Sequence, residues 1–388
     1  MSEVAQVPQL RFPEFSGEWE EKRFDSLYPT VRNGFVGVAT PYYVEEGVPY
    51  LQGKNIKSGA INRNGLVYIN ESFHQKSKKS QLRQNDIVMV QSGHVGECAV
   101  ITEEFEDTNC HALLVSTPTH DIDSKFYINY FYSKFGRKKI YRITTGNTIK
   151  HILSSDLKIQ TVSNPSYQEQ QKIAAFLAAV DSKIEQLSKK QALLGEYKKG
   201  LMQQIFSQVT RFKADDGCDF PDWEEKKLGD VSVRGTSNIS ANQLEDNNGD
   251  YKIYGAAGHL KNIDFYTEED CYVAIVKDGA GVGRIMLLES KTSVLGTLAI
   301  IKAKQGNDIN FLYWLIQTIN FRKYVVGSTI PHIYYRDYQA ENLRIPSLSE
   351  QTKIANFLSS IDNKIEQVGK QLDESKQFKK ALLQQMFV

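Results

Sequence analysis

The sequence contains one long segment twice, and this repeat constrains the fold more than any single motif does. Residues 169–206 match residues 350–387 at a constant offset of 181 positions without a gap, and 19 of the 38 aligned residues are identical. A repeat of this length predicts two copies of one structural unit. Identical polar pairs such as Lys183 and Lys364 argue against two unrelated amphipathic helices.

Apolar residues in both copies recur at spacings of three and four, which is typical of one face of an α-helix. They are Ile173, Phe176, Leu177, Val180, Ile184, Leu187, Leu194, Tyr197, Leu201 and Ile205, and then Ile354, Phe357, Leu358, Ile361, Ile365, Val368, Leu372, Phe378, Leu382 and Met386. A helix of about 38 residues is about 57 Å long and cannot bury such a stripe alone. We therefore expect these residues to pack the two helices together as a coiled-coil pair. Antiparallel packing would place two globular units at opposite ends of a pseudo-two-fold arrangement, and the sequence also allows a parallel pair.

The start of each helix carries a capping signal. A serine follows a proline, and a glutamate comes three residues after the serine, which predicts a capping box. Gly195 and Gly200 in the first copy predict fraying or a break there, because glycine weakens a helix interior. The capping residues are Pro165, Ser166 and Glu169 in the first copy and Pro346, Ser347 and Glu350 in the second.

Outside the helices, the sequence predicts two globular units built on one plan. In the first unit, five short β-type runs precede an amphipathic helix at about residues 125–139. The closing segment Gly146-Asn-Thr-Ile-Lys-His-Ile recurs as Gly327-Ser-Thr-Ile-Pro-His-Ile, whereas the interiors at 30–80 and 234–269 show no useful similarity. The predicted organisation is a prelude at 1–23, a first unit at 24–165, a central helix at 166–206, a linker at 207–227, a second unit at 228–346 and a C-terminal helix at 347–388.

The composition is that of an ordinary soluble globular protein, with 24% charged and 41% hydrophobic residues. The longest apolar runs are too short to cross a membrane, and the first residues do not resemble a signal peptide. The four cysteines lie far apart with no histidine at ligand spacing, so we expect reduced cysteines, no metal site and a cytoplasmic location. The net charge of +1 predicts no general affinity for nucleic acid.

The motifs that could carry catalysis are better explained as structural. Gly279-Ala-Gly-Val-Gly283 lacks the spacing of a nucleotide-binding loop, which favours a tight turn between strands. Asn164-Pro-Ser-Tyr167 resembles the Asn-Pro-Pro-Tyr loop of amino-methyltransferases, but it lacks the second proline and directly precedes the helix. No catalytic triad fits the spacing of the histidines, which favours structural or DNA-facing roles. We therefore predict a protein that is not an enzyme.

Two basic stretches in the first unit are candidates for contact with nucleic acid. Residues 127–151 contain six lysines and arginines and no acid, interleaved with four tyrosines, and residues 50–83 contain seven positive residues and one glutamate. The second unit is poorer, with Arg322, Lys323 and Arg336. Such side chains bind phosphates and position a protein on a duplex. Basic runs are also common on solvated faces, so both interpretations stay open.

Three short motifs are distributed along the chain, and the pattern they form covers essentially its whole length. They are Arg11-Phe-Pro with Trp19, Gly146-Asn-Thr-Ile with Leu157, and Pro165-Ser-Tyr-Gln-Glu-Gln-Gln-Lys-Ile, and the last two recur in the second copy. This pattern resembles the specificity subunit of type I restriction–modification systems. The resemblance implies an α+β fold with two α/β target-recognition domains separated by two long antiparallel coiled-coil helices. Each domain would read one half of an asymmetric, bipartite DNA target, and the helices would set the spacer.

The resemblance also implies partners and the location of the chemistry. Two modification (methyltransferase) subunits would dock on the helices, and restriction (endonuclease/translocase) subunits would join them. S-adenosylmethionine, ATP and Mg²⁺ would bind those partners, and this chain would carry no cofactor or metal and contact no membrane. The alternative is a two-headed coiled-coil scaffold whose units bind protein or another ligand.

No fixed motif of that family identifies base-reading residues, so candidates for DNA contact follow from charge, polarity and position in turns. In the first unit they are Lys54, Asn55, Lys57, Ser92, His94, Arg137, Lys138, Arg142, Asn147, Lys150 and His151. In the second unit they are Lys277, Arg284, Arg322, Thr329, His332, Tyr335 and Arg336.

Overall fold

The computed structural model describes residues 6–388, and residues 1–5 of the predicted prelude lie outside this range. The chain divides into two compact units. The first comprises the residues up to Ser188 together with Lys370–Val388, and the second is Lys189–Gly369. Both boundaries fall inside a long helix, at positions related by the repeat offset. Each unit therefore contains a globular part, the start of one long helix and the end of the other.

The first unit contains two four-stranded sheets. The central sheet has the order Thr30–Asn33, Leu113–Thr117, Ile87–Val90 and Cys98–Val100, and all neighbours are antiparallel. The second sheet has the order Asn109–Cys110, Val48–Leu51, Val67–Ile69 and Tyr43–Val44, with the first pair parallel. Two smaller pairs join Ile56–Lys57 to Ala60–Ile61 and Glu20–Arg23 to Thr161–Asn164. The α-helices of the globular part are Phe24–Leu27, Glu71–Lys76, Ser124–Tyr132, Lys134–Arg142 and Ser154–Lys158.

The second unit repeats this plan, which confirms the predicted α+β repeat. Its central sheet has the order Ser232–Thr236, Leu298–Ala303, Tyr272–Val276 and Ile285–Leu288, again antiparallel. A three-stranded sheet has the order Gly258–Ile263, Tyr251–Gly255 and Ser293–Val294, and a further pair joins Glu224–Lys227 to Asn342–Ile345. The α-helices of the globular part are Leu228–Val231, Ile309–Ile316 and Tyr335–Tyr338. The third strand of each central sheet is apolar and buried along its whole length, which explains the continuous apolar runs in the sequence.

The two long helices run antiparallel within the first unit. Lys379 of the second helix pairs with Asp181 of the first at 2.6 Å. Just before the start of the first helix, the hydroxyl of Ser163 donates to the carbonyl oxygen of Val388, just after the end of the second, at 2.7 Å. The first helix therefore begins where the second one ends. The long helices are Tyr167–Phe206 and Leu348–Gln385.

The second unit contains the equivalent arrangement of helices. Lys198 of the first helix pairs with Asp362 of the second at 2.5 Å, and both residues are the repeat partners of the pair in the first unit. Gln191 lies against Gly369, so the chain again runs in opposite directions on the two helices. These contacts decide between the two arrangements that the sequence allowed, and the helices are antiparallel.

Most of the predicted apolar stripe faces the interior. Tyr197 and Phe378 are exceptions, because their side chains are 55% and 53% exposed, and their assignment to the stripe was wrong. They occupy equivalent positions, each directly before a lysine that pairs with the other helix. Successive helix residues point about 100° apart, so the inward lysine turns its neighbour outward. Among the predicted packing residues, the buried ones are Ile173, Leu177, Ile354, Leu358, Ile361 and Leu382, and the half-buried ones are Phe176, Val180, Ile184, Leu201, Phe357 and Ile365.

The first long helix is continuous through Gly195 and Gly200, so the predicted break is wrong. Apart from its own helix backbone and chain neighbours, a Cβ atom added at either glycine would meet no atom of residues 6–388 within 4 Å. The missing side chains therefore leave no gap in the packing, and the packed apolar residues on both sides maintain the helix. Tertiary contacts outweigh the propensity cost of about 1 kcal/mol for each glycine.

Half of the predicted capping box is present at both helix starts. The backbone amide of Glu169 donates to the hydroxyl of Ser166 at 3.3 Å, and that of Glu350 donates to Ser347 at 3.4 Å. The predicted return bond from the glutamate side chain is wrong, because both carboxylates bind an arginine instead.

Each of these glutamates is buried against an arginine from the segment that precedes its globular unit. Arg11 donates to both carboxylate oxygens of Glu169 at 2.7 and 2.8 Å, and the glutamate side chain is 2% exposed. Arg211 donates to Glu350 at 2.9 Å, and the indole of Trp223 adds a bond of 3.1 Å. A two-pronged guanidinium matches a carboxylate better than one backbone amide does, which explains the change of partner.

The residue after each glutamate connects the helix to the globular part. The side-chain oxygen of Gln170 accepts from the amide of Asp123 at 3.0 Å, and its nitrogen donates to the carbonyl of Pro165 at 2.9 Å. Asp123 in turn caps the helix Ser124–Tyr132. The same contacts recur at Gln351, Asp308 and Pro346.

Three predicted segments differ in detail. The segment expected to form one helix at 125–139 forms two helices, because the chain turns at Ser133. The second helix starts close to the end of the first, and only glycine fits there, since a Cβ at Gly136 would lie 2.1 Å from the carbonyl oxygen of Tyr130. The ends of the predicted prelude and linker are strands of the two units, Glu20–Arg23 and Glu224–Lys227. Pairing with a strand more than a hundred residues away creates both, and local sequence does not reveal it.

We predict that Arg11→Ala lowers the free energy of unfolding of the first unit by about 3 kcal/mol, because it leaves a buried carboxylate without its partner. Glu14→Ala is the matched control, since it removes an exposed ion pair with Lys172 on the same helix. Urea denaturation followed by circular dichroism measures both variants. We expect an unchanged midpoint for the control, and an equally small effect of Arg11→Ala would contradict the role of this contact.

Candidate nucleic-acid interface

The first unit has an open cleft of about 1240 Å³ with a basic lining. The loop at 53–58, the turn at 92–97 and the helix Lys134–Arg142 form its walls. Glu97 is its one carboxylate among the residues that the structure describes. The cleft brings together seven of the predicted contact residues, namely Lys54, Lys57, Ser92, His94, Arg137, Lys138 and Lys150.

The negative charge of Glu97 is balanced by hydrogen-bond donors within the cleft. It accepts hydrogen bonds from the amide of Ser58 at 2.7 Å, from the hydroxyl of Tyr132 at 2.8 Å and from Arg137 at 3.0 Å. Burial alone raises the pKa of Glu97, but these three donors outweigh it and hold the pKa below the ordinary value. The guanidinium of Arg137 also lies 4.4 Å from the centre of the Tyr132 ring. Arg137 is therefore engaged in shaping the cleft wall.

The lysines of the cleft differ in how free they are. Lys54, Lys57, Lys134, Lys138 and Lys150 have no ion pair within residues 6–388. Free ammonium groups along an open cleft are what a phosphate backbone requires.

Lys139 contrasts with its neighbour Lys138. Its ammonium group donates to the carboxylate of Glu21 and to the carbonyl of Thr161, both at 2.7 Å. Lys139 therefore belongs to the structure of the unit, and Lys138 is available to a ligand.

The prediction that Asn55 contacts DNA is wrong. Its side chain is fully buried and accepts from the amide of Gln52 at 3.0 Å. Its nitrogen donates to the carbonyls of Asn62 and Asn64 at 3.0 and 3.4 Å. Asn55 therefore closes the turn at the cleft edge, and its buried side chain does not reach the surface where a base would lie.

The repeated closing segments form a pair of loops that we call the bridged loops, residues 145–151 and 326–332. Thr145 and His151 exchange backbone hydrogen bonds of 2.9 and 2.8 Å, and Val326 and His332 exchange bonds of the same lengths. The predicted contact residues Asn147, His151, Thr329 and His332 belong to these loops. Arg142 is exposed in the helix just before the first loop.

Each bridged loop is attached to a neighbouring turn. In the first unit, the amide of Gly93 donates to the carbonyl of Lys150 at 3.2 Å, which places the loop beside the basic cleft. In the second unit, Gly279 donates to Pro331 at 2.9 Å, and Ile333 donates to Lys277 at 2.9 Å. The two units therefore present the same pair of loops.

The segment Gly279–Gly283 is a turn between two antiparallel strands, as predicted from its spacing. Arg284 follows it and donates to the carbonyl of Ala256 at 2.6 Å, which joins this turn to a hairpin tip. Lys277 and His332 are half-buried at the same surface, and Thr329 is exposed there.

The remaining candidates of the second unit lie on short helices. Arg322 is exposed in Phe321–Tyr324, and the guanidinium of Arg336 lies 4.9 Å from the centre of the Tyr334 ring. The hydroxyl of Tyr335 lies 3.1 Å from that of Ser232, so this side chain is engaged inside the unit.

The candidates chosen from the sequence did not include Tyr141, which the structure places beside the cleft. Its side chain is 74% exposed beside the cleft, and the ammonium of Lys150 lies 6.0 Å from its ring centre. Exposed aromatic rings next to free lysines suit the stacking of unpaired bases. The alternation of tyrosine and basic residues in the sequence carried this signal.

The structure places the suspected catalytic motif at the helix start. The hydroxyl of Tyr127 donates to the side-chain oxygen of Asn164 at 2.7 Å, and Gln170 donates to the same atom at 3.2 Å.

Burial raises the pKa of Cys98, and it raises that of Cys110 to about 12. Within residues 6–388, no three His, Cys, Asp or Glu side chains cluster at metal-binding distances, and no helix is long and apolar enough to span a membrane.

Comparison with known proteins gives a consistent result. A family model described as the type I restriction modification DNA specificity domain matches residues 16–194 and 221–375. A protein of Methanocaldococcus jannaschii assigned as the specificity subunit of the type I restriction enzyme MjaX is 24% identical over 409 residues, covering 98% of this chain and 94% of that protein. The specificity subunit of the MjaVIII enzyme from the same organism is 24% identical over 416 residues, covering 96% and 92%. The crystal structure of a type I restriction–modification S subunit from M. genitalium shares the fold, with a TM-score of 0.67 and 18% identity over 98% of this chain and 99% of that one.

We predict that Lys138→Ala weakens binding to duplex DNA of any sequence and reduces the slope of log affinity against log salt by about 0.9, because one phosphate contact is lost. Lys139→Ala is the matched control, and we expect it to leave the slope unchanged. Fluorescence anisotropy titrations at several salt concentrations measure both slopes. A wild-type slope for Lys138→Ala would exclude this helix from the DNA interface.

Proposed function

Because the chain belongs to the type I restriction–modification DNA specificity family, we propose that each of its units reads one half of an asymmetric, bipartite DNA target and that the long helices set the spacer. The protein is the DNA target-recognition subunit of such a system, and it is not itself an enzyme. Family membership supports this function and does not support the alternative of a general two-headed scaffold.

The observation that carries the proposal is the contrast between constant framework and variable interior. The central sheets have the same strand order, and the helix starts make the same contacts in both units. The interiors at 30–80 and 234–269 differ in sequence and in sheet structure. A protein that reads two different half-sites needs one framework twice with different reading surfaces, because base contacts specify and phosphate contacts position.

The long helices suit the role of a spacer. Their 40 and 38 residues correspond to roughly 60 and 57 Å. The ion pairs Asp181–Lys379 and Lys198–Asp362 occupy equivalent positions and hold the helices in one register. Half-sites on one face of a duplex are about 34–36 Å apart for each helical turn, a distance that helices of this length can span.

The exposed helix surface suits a partner that is present in two copies. Several identical residues of the repeat point to solvent and have no role in packing the helices. A modification subunit that recognises this set once on each copy would bind twice, and restriction subunits would join that assembly. The exposed identical pairs include Lys183 and Lys364, Glu185 and Glu366, Gln186 and Gln367, and Lys189 and Lys370.

The chemistry belongs to the partner subunits in this proposal. S-adenosylmethionine would bind the modification subunits, and ATP and Mg²⁺ would bind the restriction subunits, all in the cytoplasm. The hairpin turn at Gly279–Gly283 supports this assignment, because it leads into a strand and not into the helix that a phosphate-binding loop requires.

Exchanging one unit tests the assignment of one unit to one half-site. We predict that replacing residues 20–164 by the corresponding segment of another family member changes one half of the methylated sequence and leaves the other half and the spacer intact. The exchanged segment includes both strands of the Glu20–Arg23 and Thr161–Asn164 pair, so that pairing is preserved. Methylome sequencing of cells that express the variant with its modification subunit is the measurement. A change in both halves would contradict the assignment.

Lengthening both helices tests the spacer. We predict that seven residues inserted after Ser188 and again after Gly369 lengthen the spacer by about three base pairs, because two helical turns add about 10.5 Å and a base pair rises about 3.4 Å. Both half-sites should keep their bases. The control inserts seven residues into one helix only, which leaves the helices unequal and should abolish methylation. An unchanged spacer in the double insertion would show that the helices do not measure the distance.

A further inference from the structure

Each bridged loop exposes an isoleucine. Ile149 is 60% exposed in the first loop, and its repeat partner Ile330 is 64% exposed in the second. The loops are among the segments that the two units share, although the unit interiors have diverged. A large apolar side chain kept on the surface of both units has a function common to both, and reading different bases cannot be that function.

The backbone holds these isoleucines rigidly. Paired hydrogen bonds close the base of each loop, and a bond from the neighbouring turn holds the residue directly after the isoleucine, Lys150 or Pro331. Gly146 and Gly327 adopt φ angles of +95° and +89°, and a Cβ at either would lie within 2.4 Å of the carbonyl oxygen of the isoleucine. The loops therefore fold tightly on glycine, and the branched isoleucine adds a stiff side chain.

The setting of the loops favours DNA as the occupant. In the first unit, Lys150 follows Ile149 directly and lines the basic cleft, so the exposed apolar side chain continues the surface proposed to bind phosphates. Neither loop contains a carboxylate. In the second unit the adjoining turn carries Lys277, Asp278 and Arg284. The setting there is less basic, and the loop geometry is the same.

We propose that Ile149 and Ile330 act as wedges that enter the DNA between two stacked base pairs, one in each half-site. This inference rests on the proposed function and adds a mechanical role to it. Isoleucine is among the side chains that proteins insert between base steps to unstack and kink a duplex. A methyltransferase partner has to take its target base out of the stack, and a neighbouring step that is already opened makes this easier.

The test uses target duplexes with 2-aminopurine, whose fluorescence rises when it is unstacked, placed at successive positions through both half-sites other than the methylated base, which the partner itself unstacks. The protein is the full chain in complex with its modification subunit. We expect wild type to give a rise in each half-site. Ile149→Ala should lose the rise in one half-site and Ile330→Ala the rise in the other, and each should lose affinity about tenfold, as for one mismatched base pair.

Two control variants separate a wedge from a general loss of structure. Ile159→Ala removes an isoleucine that is 55% exposed in the same unit and does not line the cleft, and it should keep both rises. Ile149→Leu keeps a large apolar side chain and should restore the rise.

Three outcomes would overturn the wedge. Wild-type fluorescence in both alanine variants would exclude insertion. Lower affinity with unchanged fluorescence in the bound complex would indicate a contact in a groove without insertion. Loss of the modification subunit from the alanine variants in a pull-down would identify a protein contact. A wild-type complex that does not prefer the target duplex to a scrambled one would instead contradict the proposed function itself.

Discussion

The fold depends on a buried carboxylate at the start of each long helix. Glu169 and Glu350 have side chains at most 2% exposed, and each is neutralised by an arginine from the segment before the globular unit. A buried charge without a partner would cost several kcal/mol, so the helix start and that segment are stable only together. A tryptophan from the same segment then packs on an aromatic residue at the C-terminal end of the other long helix. Trp223 packs on Phe206, the last residue of the first helix, and Trp19 packs on Phe387, two residues beyond the second helix.

This arrangement explains how one framework can carry different recognition surfaces. Helix starts, helix ends and central sheets make repeated contacts in each unit, and the loops of the variable interiors at 30–80 and 234–269 take no part in them. The loops can therefore change without loss of the fold. The basic cleft of the first unit and the less basic surface of the second show how far such surfaces diverge on one framework.

Much of the architecture could be predicted from the sequence, because the repeat and its apolar spacing are local signals. The apolar spacing left the direction of the helices open, and only the family resemblance implied an antiparallel pair, because the direction depends on pairs such as Asp181 with Lys379. The capping rule identified Glu169 correctly as a key residue of the helix start, but it predicted a bond to the nearby backbone. The actual partner, Arg11, lies 158 residues away in the sequence. The candidate site was predicted in part. Charge located the cleft, but it did not separate free Lys138 from engaged Lys139, and the burial of Asn55 appears only in the folded turn.

The central claim is that two different units read two halves of one target at a fixed distance. The most direct measurement is methylome sequencing of cells that express the wild-type chain with its modification subunit. The account predicts one asymmetric motif, made of two different specific sequences separated by a constant number of unspecified bases. A palindromic motif or a continuous one would contradict it, and so would the absence of any motif in cells where the complex assembles.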